Sequence, residues 1–466
     1  MRDRVELPPA IDRLSSTDLA FLAMDSGAVP EQFAAVLVLD GPVDAAVAER
    51  VLAERIARVP RLRQRLERTP PGCGRHIWVD DSAFDLRRHL RRVHCEPPGD
   101  EAALLDTIIP LVVERLPRDR PLWRVGLIDG VTGGDTALLL VAHHVLADGL
   151  GGLAVLAQLI DGPPQPAEAG FPRRPPTVTE LAADALRSRL RAVRQIPRGW
   201  RQLRRAMAAG GGLTPAPATP CSLNHRTGPR RRAVVADADL SRLREAAHRY
   251  GGTVNAALLI AVSAALDEVL RRRGEAIDDI VVAVPVAGRA AADGTHLGNQ
   301  VAPLLVSVPT TGSLADRIAL VAGAVRRRRS LATGPPPIAV LGLAFRLAAA
   351  LGGYRWYMNH QHRLHTLVSF VRGPQQPARF AGAVVRRMIP LVVGGAGNIT
   401  VAFQALSYGG TLTVTAIADP DHCRDLVALG RALQDQLTNL ASCHEPSVHR
   451  PSGPLALEKM PGPDEA

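Results

Sequence analysis

The chain has 466 residues, of which 46% are hydrophobic and only 3% aromatic, and its formal net charge at pH 7 is +11. This length favours two domains over one, and the apolar fraction provides ample material for their cores. The positive charge favours polyanionic partners. The basic residues are not interleaved with aromatic residues, however, so no nucleic-acid partner is expected. The five cysteines are scattered and form no CxxC motif, which argues against a disulfide framework and against a bound metal.

The first part of the chain alternates strand-like and helix-like segments. Ala34–Leu39 predicts a strand, and Asp44 can cap the helix that follows it. His76–Val79 predicts a second strand. Glu101–Glu114 has a helical pattern that contains Pro110, so a kink or a break is expected there.

A predicted hairpin follows and ends in the most informative motif of the chain. Its strands are Leu122–Asp129 and Thr136–Val141. Directly behind the second strand stands an HHxxxDG motif, which comprises His143, His144, Asp148 and Gly149. Apolar residues at helical spacing then run from Leu150 to Ile160. The motif therefore lies on a strand-to-helix corner, where a side chain can be presented to a cavity.

The spacing of the two histidines limits the chemistry they can perform. Neighbouring residues of a strand point to opposite faces, so His143 and His144 are not expected to share a metal ion, and only one should face the cavity. An imidazole has an unperturbed pKa of about 6.5 and can take a proton from a hydroxyl or amine at neutral pH. Asp148 could orient an imidazole or pair with an arginine to hold the loop. The alternative interpretation is two ordinary histidines at a strand end.

The composition changes in the middle of the chain. Gly162–Pro176 is a proline-rich connector, and Gly210–Pro220 indicates a flexible linker with the domain boundary. Between them, an apolar stripe from Leu181 to Met207 runs through an arginine-rich segment. This pattern is typical of a helix that lies on a membrane surface. It fits equally well a crossover helix that packs on the next domain and exposes its charged face to solvent. We assign residues 1–165 to an N-terminal domain, 166–220 to a crossover and linker, 221–445 to a C-terminal domain and 446–466 to a disordered tail.

The second half repeats an α/β pattern. Its predicted helices are Ser241–Tyr250, Val254–Arg271, Leu314–Arg329 and Asp421–Leu440. Its predicted strands are Ala233–Ala236, Ile280–Val286, Val301–Val308, Thr366–Val371, Val384–Val393, Ile399–Ala405 and Thr411–Ala418. The expected fold class is α/β, with two domains of mixed sheets flanked by helices. No uncharged apolar run reaches the ~18–20 residues of a bilayer span, and no signal peptide is expected.

Several segments resemble those of a known enzyme family. Leu14–Leu22, Pro121-Leu122-Trp123 and the HHxxxDG motif follow the order of segments in the bacterial wax ester synthase/diacylglycerol acyltransferases. Later segments of that family are similar to Pro285–Arg289, Leu297–Val301, Gly373-Pro374, Ala381–Ala383, Gly397–Val401 and Ser407–Gly410. The resemblance covers nearly the whole chain. It implies two chloramphenicol acetyltransferase-like domains with an active-site channel between them.

The resemblance implies an acyl-CoA-dependent O-acyltransferase that esterifies diacylglycerol or a long-chain alcohol, with acyl-CoA as a substrate and no cofactor. By analogy, His144 is the general base, and His143, Asp148 and Gly149 complete the catalytic motif. The expected substrate-binding residues are Pro121, Leu122, Trp123, Asn255, Asn299 and Asn398. Arg289 is expected to be structural and to pair with Asp148. The protein is expected in the cytoplasm, associated peripherally with an anionic membrane or lipid-droplet surface.

Two departures from the family pattern leave alternatives open. The family's Asn-Asp pair stands here as Asn255-Ala256, and its SNVPGP segment carries Phe370 and Arg372. These changes allow an HHxxxDG acyltransferase with another acceptor, or a catalytically weak, membrane-associated lipid-binding paralogue. Trp123 can equally be a core aromatic, and the asparagines that follow glycines can be ordinary turn residues.

Overall fold

The computed structural model describes residues 11–147, 149–162, 170–191, 217–287, 301–331, 345–393 and 397–442. The strands are β1 (Asp12–Arg13), β2 (Gln32–Leu39), β3 (Gln64–Glu67), β4 (Ile77–Asp80), β5 (Leu90–His94), β6 (Trp123–Asp129), β7 (Thr136–His143), β8 (Arg232–Asp239), β9 (Asp279–Ala287), β10 (Val301–Pro309), β11 (Thr366–Arg372), β12 (Arg379–Phe380), β13 (Ala383–Val392), β14 (Val401–Tyr408) and β15 (Thr411–Ala418). The α-helices are α1 (Ser16–Met24), α2 (Ala45–Ile56), α3 (Glu101–Val113), α4 (Gly149–Leu159), α5 (178–191), α6 (Leu240–Arg249), α7 (Val254–Arg272), α8 (Leu314–Leu331), α9 (345–350), α10 (Gly353–Asn359) and α11 (Leu426–Ser442).

One six-stranded sheet carries the HHxxxDG corner. Its strand order is β12-β13-β2-β7-β6-β5. The central strands β2 and β7 are antiparallel, with Gln32 opposite His143, whereas β5 and β6 run parallel. Helix α3 packs on one face of this sheet, and α2 and α4 pack on the other. Because both faces are covered, every residue of β7 is buried and the strand is mostly apolar.

The second six-stranded sheet has the order β10-β9-β11-β14-β15-β8. Strand β11 runs parallel to β9 and β14, and the other pairs are antiparallel. Helices α7 and α11 pack together on one face and form a single hydrophobic core with the sheet. Thr253 caps α7, since its side chain accepts a hydrogen bond from the Ala256 amide at 3.3 Å. The predicted α/β class with two mixed sheets is confirmed.

The two halves of the chain share a sheet and a core. Strand β13 belongs to the second half of the sequence, yet it pairs with β2 in the first sheet. It also packs against β14 and β15, so the hydrophobic cluster is continuous between the sheets. Arg387 on β13 forms ion pairs with both Glu101 and Asp237. The predicted division into two domains stays a prediction, and this shared strand ties the two halves together.

Helix α3 continues through Pro110 to Val113, so of the kink or break expected at Pro110 the break is absent. Pro110 is exposed and stands close to the C-terminal end of the helix. Its ring can therefore face solvent, and the carbonyl that loses its hydrogen-bond donor can be solvated.

Helix α5 is part of the predicted arginine-rich segment. The rest of that segment, residues 192–207, lies outside the described residues, as do the first part of the predicted linker, up to residue 216, and the predicted tail at 446–466. Leu181 is buried with Ile77 of the small sheet β1-β4-β3, and Arg13 of this sheet donates to Asp184 at 2.6 Å. One face of α5 is therefore packed on protein.

Within the described ranges, no single helix is long and apolar enough to cross a membrane. Helices α6 and α7 reach that length and hydropathy only as a pair, and the chain bends by 95° between them. Most of α7 is buried in the protein core.

Candidate active site

The HHxxxDG corner joins the end of β7 to the start of α4, as predicted. The backbone amide of His143 donates to the carbonyl of Leu122 at 3.0 Å, and that of His144 donates to the carbonyl of Glu31 at 2.9 Å. Val145 behind them is buried in the core. These bonds tie both histidines to the chain segments that precede β6 and β2.

His143 points into the protein, where both ring nitrogens have partners. Its Nε2 lies 3.3 Å from Oδ2 of Asp25, and its Nδ1 accepts a hydrogen bond from the amide of Val145 at 3.0 Å. Because Nδ1 accepts, the proton of the neutral ring lies on Nε2 and is donated to Asp25. The imidazole of His143 is thus held in one orientation by the fold itself.

Asp25 directly follows α1 and organises a charged cluster. It accepts hydrogen bonds from Arg115 at 2.7 Å and from Arg118 at 2.6 Å. Burial would raise the pKa of Asp25, but the hydrogen bonds that it accepts from His143 and Arg118 hold that pKa well below its usual range. Asp25 was not among the site residues predicted from the sequence, although an acid shortly after the segment Leu14–Leu22 was a visible signal.

His144 lies between two aromatic rings. Phe21 of α1 stacks on its imidazole with 5.3 Å between ring centroids, and Phe33 of β2 lies at 5.1 Å. Burial lowers the pKa of His144 to about 3. The imidazole is therefore neutral at physiological pH, which is the protonation state that a general base requires, although the same shift weakens its affinity for a proton.

The aromatic walls around His144 were also missed from the sequence. Phe33 lies so close to α4 that a Cβ atom added at Gly152 would stand 2.7 Å from its Cε2 atom. The missing side chain at Gly152 is what allows α4 to approach this ring. Phe21 and Phe33 were recognisable as apolar residues, but only tertiary packing brings them to one imidazole.

The Pro121-Leu122-Trp123 segment supports the corner from the neighbouring strand. The carbonyl of Leu122 accepts the hydrogen bond from His143, and Leu122 and Trp123 are both buried. The indole of Trp123 donates to the carbonyl of Leu62 at 2.7 Å and stacks on His89, with 4.3 Å between ring centroids. Trp123 thus packs as a core aromatic whose polar atom is satisfied.

The remaining predicted site residues are spread over the molecule or lie outside its described part. Both ends of the Asn398 carboxamide bind Gln361, at 2.8 and 2.7 Å. Asn255 is partly buried in the first turn of α7. Asp148, Arg289 and Asn299 lie outside the described residues. In the part of the chain that the structure describes, no three His, Cys, Asp or Glu side chains are grouped to hold a metal ion.

The chain matches one protein family over most of its length. Residues 14–258 match the family described as the wax ester synthase/diacylglycerol acyltransferase catalytic domain, and residues 297–441 match the WS/DGAT C-terminal domain. A Mycobacterium tuberculosis protein described as a probable diacylglycerol O-acyltransferase is 27% identical over 476 residues. The alignment covers 96% of this chain and 100% of that protein.

Solved structures show the same fold. The wax ester synthase/diacylglycerol acyltransferase from Marinobacter aquaeolei VT8 superposes with a TM-score of 0.63 at 21% identity and covers 92% of this chain and 98% of its own. The starter condensation domain of rhizomide synthetase, determined in complex with C8-CoA and Leu-SNAC, gives a TM-score of 0.61 at 17% identity. That comparison covers 92% of this chain and 94% of the condensation domain.

Proposed function

Since the chain belongs to the wax ester synthase/diacylglycerol acyltransferase family, we propose that it transfers an acyl group from acyl-CoA to the hydroxyl of diacylglycerol or of a long-chain alcohol. The observation that carries the proposal is the HHxxxDG corner between β7 and α4, where the imidazole of His144 packs against two aromatic rings. A neutral imidazole can act as a general base toward a hydroxyl. The product would be a triacylglycerol or a wax ester.

In the proposed reaction, His144 removes the proton of the acceptor hydroxyl while the oxygen attacks the carbonyl carbon of the thioester. The C–S bond breaks as the ester forms, and the imidazolium returns its proton to the departing CoA thiolate. No covalent acyl-enzyme is needed, because both substrates are held together. His143 and Asp25 act as positioning residues, since their hydrogen bond orients the corner that carries His144.

The other predicted residues keep roles that follow from the resemblance. Gly149 begins α4 and completes the motif with Asp148, for which Arg289 is the proposed partner. Of the substrate contacts expected from the sequence, we retain Pro121, Asn255 and Asn299 in the proposal. Leu122 and Trp123 are packed in the core, and both ends of the Asn398 carboxamide bind Gln361, so we assign these three residues a supporting role.

A second candidate is an acyltransferase of the same family with another alcohol as acceptor. The observation that favours it lies in the first turn of α7, where Ala256 is buried beside Asn255. The related enzymes that this segment resembles have an acid at that position. Ala256 offers no carboxylate to bind or polarise a hydroxyl, so the acceptor can differ from theirs.

The proposed acceptors are lipids, and exposed apolar residues support contact with an anionic membrane or lipid-droplet surface. Leu351 is 88% exposed and Trp356, on α10, is 66% exposed. Leu186 and Leu190 on α5 are also exposed. Such residues, on a chain rich in arginine, match the composition of interfacial segments.

Purified protein incubated with palmitoyl-CoA and either diacylglycerol or hexadecanol tests the proposal, with free thiol and lipid product followed together. We expect ester formation that is lost in His144→Ala, and its rates rank the acceptors. Thiol release without ester would indicate hydrolysis or the second candidate. If folded protein gives neither product, the proposed activity is contradicted, and a lipid-binding paralogue becomes the better description.

A further inference from the structure

A cleft of about 190 Å³ opens beside the catalytic corner. The loop after α1 forms part of its wall, and the second half of the chain contributes Arg226, Tyr354 and Arg355. Helix α1 links this cleft to the candidate base, because Phe21, which stacks on His144, lies one helical turn before that loop. A ligand in the cleft would therefore lie close to the reacting groups.

The walls of the cleft carry positive charge. None of the described residues that line it is acidic, and two of them are arginines. Arg226 and Arg355 are exposed, and neither forms an ion pair in the described part of the chain. Their guanidinium groups are thus available to a ligand without breaking an existing pair.

Neighbouring groups add to this positive charge. Arg115 donates to the carbonyl of Gly27, a lining residue, at 2.7 Å. Arg115 and Arg118 share the single carboxylate of Asp25, so these three groups leave one positive charge uncompensated. Burial and the charge of Asp25 raise the pKa of Glu31 to about 7, which reduces its negative charge at neutral pH.

The cleft also offers neutral hydrogen-bond donors. Ser26, Tyr354 and Asn359 line it. Burial and the charge of Glu31 raise the pKa of Tyr354, so its hydroxyl keeps its proton and can donate. A pocket for a whole drug-sized ligand has a volume of about 300–1,000 Å³, so this smaller cleft suits one anionic part of a larger molecule.

We propose that this cleft binds the phosphate groups of the acyl-CoA donor, with Arg226 and Arg355 as their direct ligands. Guanidinium groups bind phosphate through paired, charge-assisted hydrogen bonds, and Arg226 and Arg355 have no competing carboxylate. This proposal rests on the proposed function, because the ligand that it assigns to the cleft is the acyl donor of that reaction. A phospholipid head group has the same phosphate chemistry, so the test must separate the two sources.

Calorimetric titration with CoA and with pantetheine, which lacks the nucleotide phosphates, tests the proposal independently of turnover. We expect Arg226→Ala/Arg355→Ala to weaken CoA affinity about tenfold or more and to leave pantetheine affinity unchanged. Arg431→Ala, which removes an exposed arginine of α11, should bind CoA like the wild type. Added salt should weaken CoA binding to the wild type more than to the double variant.

Unchanged CoA affinity in the folded double variant, or an equal loss for CoA and pantetheine, would overturn the assignment. Phosphatidylglycerol vesicles form the second arm of the experiment. If the double variant loses vesicle binding but keeps CoA affinity, the cleft serves lipid head groups and the proposal is wrong. His144→Ala should lose turnover and keep CoA affinity, so failure of the proposed reaction can be distinguished from failure of this site.

Discussion

At the scale of single residues, two adjacent histidines of one motif differ in what they touch. His143 binds a buried carboxylate and a backbone amide, whereas His144 is enclosed by Phe21 and Phe33. The alternation of side chains at a strand end accounts for this division, because one ring must face inward when the other faces the cavity.

We expect His144→Ala to lower kcat by about 10²- to 10⁴-fold, the usual contribution of a general base. His143→Ala should lower kcat less but should lower the midpoint of thermal unfolding, because Asp25 then loses a buried partner. Steady-state kinetics and thermal melts of both variants check this. Equal and mild losses of kcat would rule out His144 as the base.

The lowered pKa of His144 also predicts a pH dependence of stability. Between about pH 3 and pH 6.5 the unfolded chain binds a proton at this imidazole and the folded chain does not, so stability falls as the pH decreases through this range. Above pH 6.5 the contribution of His144 to the free energy of unfolding no longer changes with pH. The free energy of unfolding of the wild type should fall by about 2 kcal/mol more than that of His144→Ala between pH 7 and pH 5.

Urea denaturation of both proteins at the two pH values measures this difference. The raised pKa of Glu31 acts in the opposite direction, because the folded state then holds the extra proton and stability falls as the pH rises from about 4.5 to about 7. Both proteins contain Glu31, so its effect cancels in the comparison. Identical pH dependence of the two proteins would show that His144 titrates normally.

At the scale of elements, four segments converge on one imidazole. Helix α1 supplies Phe21, β2 supplies Phe33, the corner after β7 supplies His144, and α4 approaches the Phe33 ring closely at Gly152. Each element is regular, and the site depends on how they pack rather than on an unusual backbone.

Gly152→Ala should disturb the site through this packing. The new Cβ atom would lie 2.7 Å from Phe33 Cε2, so the ring beside His144 must move. We expect kcat to fall about 10- to 100-fold. Overpacking would cost about 1–3 kcal/mol of stability, part of which the better helix propensity of alanine offsets.

Gly162→Ala is the matched control, since a Cβ atom there meets no atom within 4 Å. Activity assays and urea denaturation of both variants decide the outcome. Wild-type kcat in Gly152→Ala would mean that the position of Phe33 does not matter for catalysis.

At the scale of the whole molecule, the catalytic sheet is completed by β13 from the other half of the chain. Helix α5 and the segment around α10 carry exposed apolar residues.

We expect Leu351→Ser/Trp356→Ser to reduce co-sedimentation with anionic vesicles about tenfold or more, because two large apolar side chains no longer enter the interface. Val427→Ser, at an exposed apolar residue of α11, is the control and should bind like the wild type. Vesicles of neutral lipid and added salt separate the apolar contribution from that of arginine charge. Unchanged binding of the double variant would exclude this surface as the contact.

The α/β class, the positions of most strands and helices and the corner that carries the histidines could be predicted from the order of residues, because these depend on local periodicity and turn residues. The packing of the folded chain selects which histidine meets the aromatic rings and which binds Asp25, an acid 118 residues away along the chain. It also decided that β13 joins the first sheet and that arginines of the second half meet the loop after α1. Such contacts join residues that are distant in sequence, and no local pattern encodes which of many apolar or charged residues will meet once the sheets are packed.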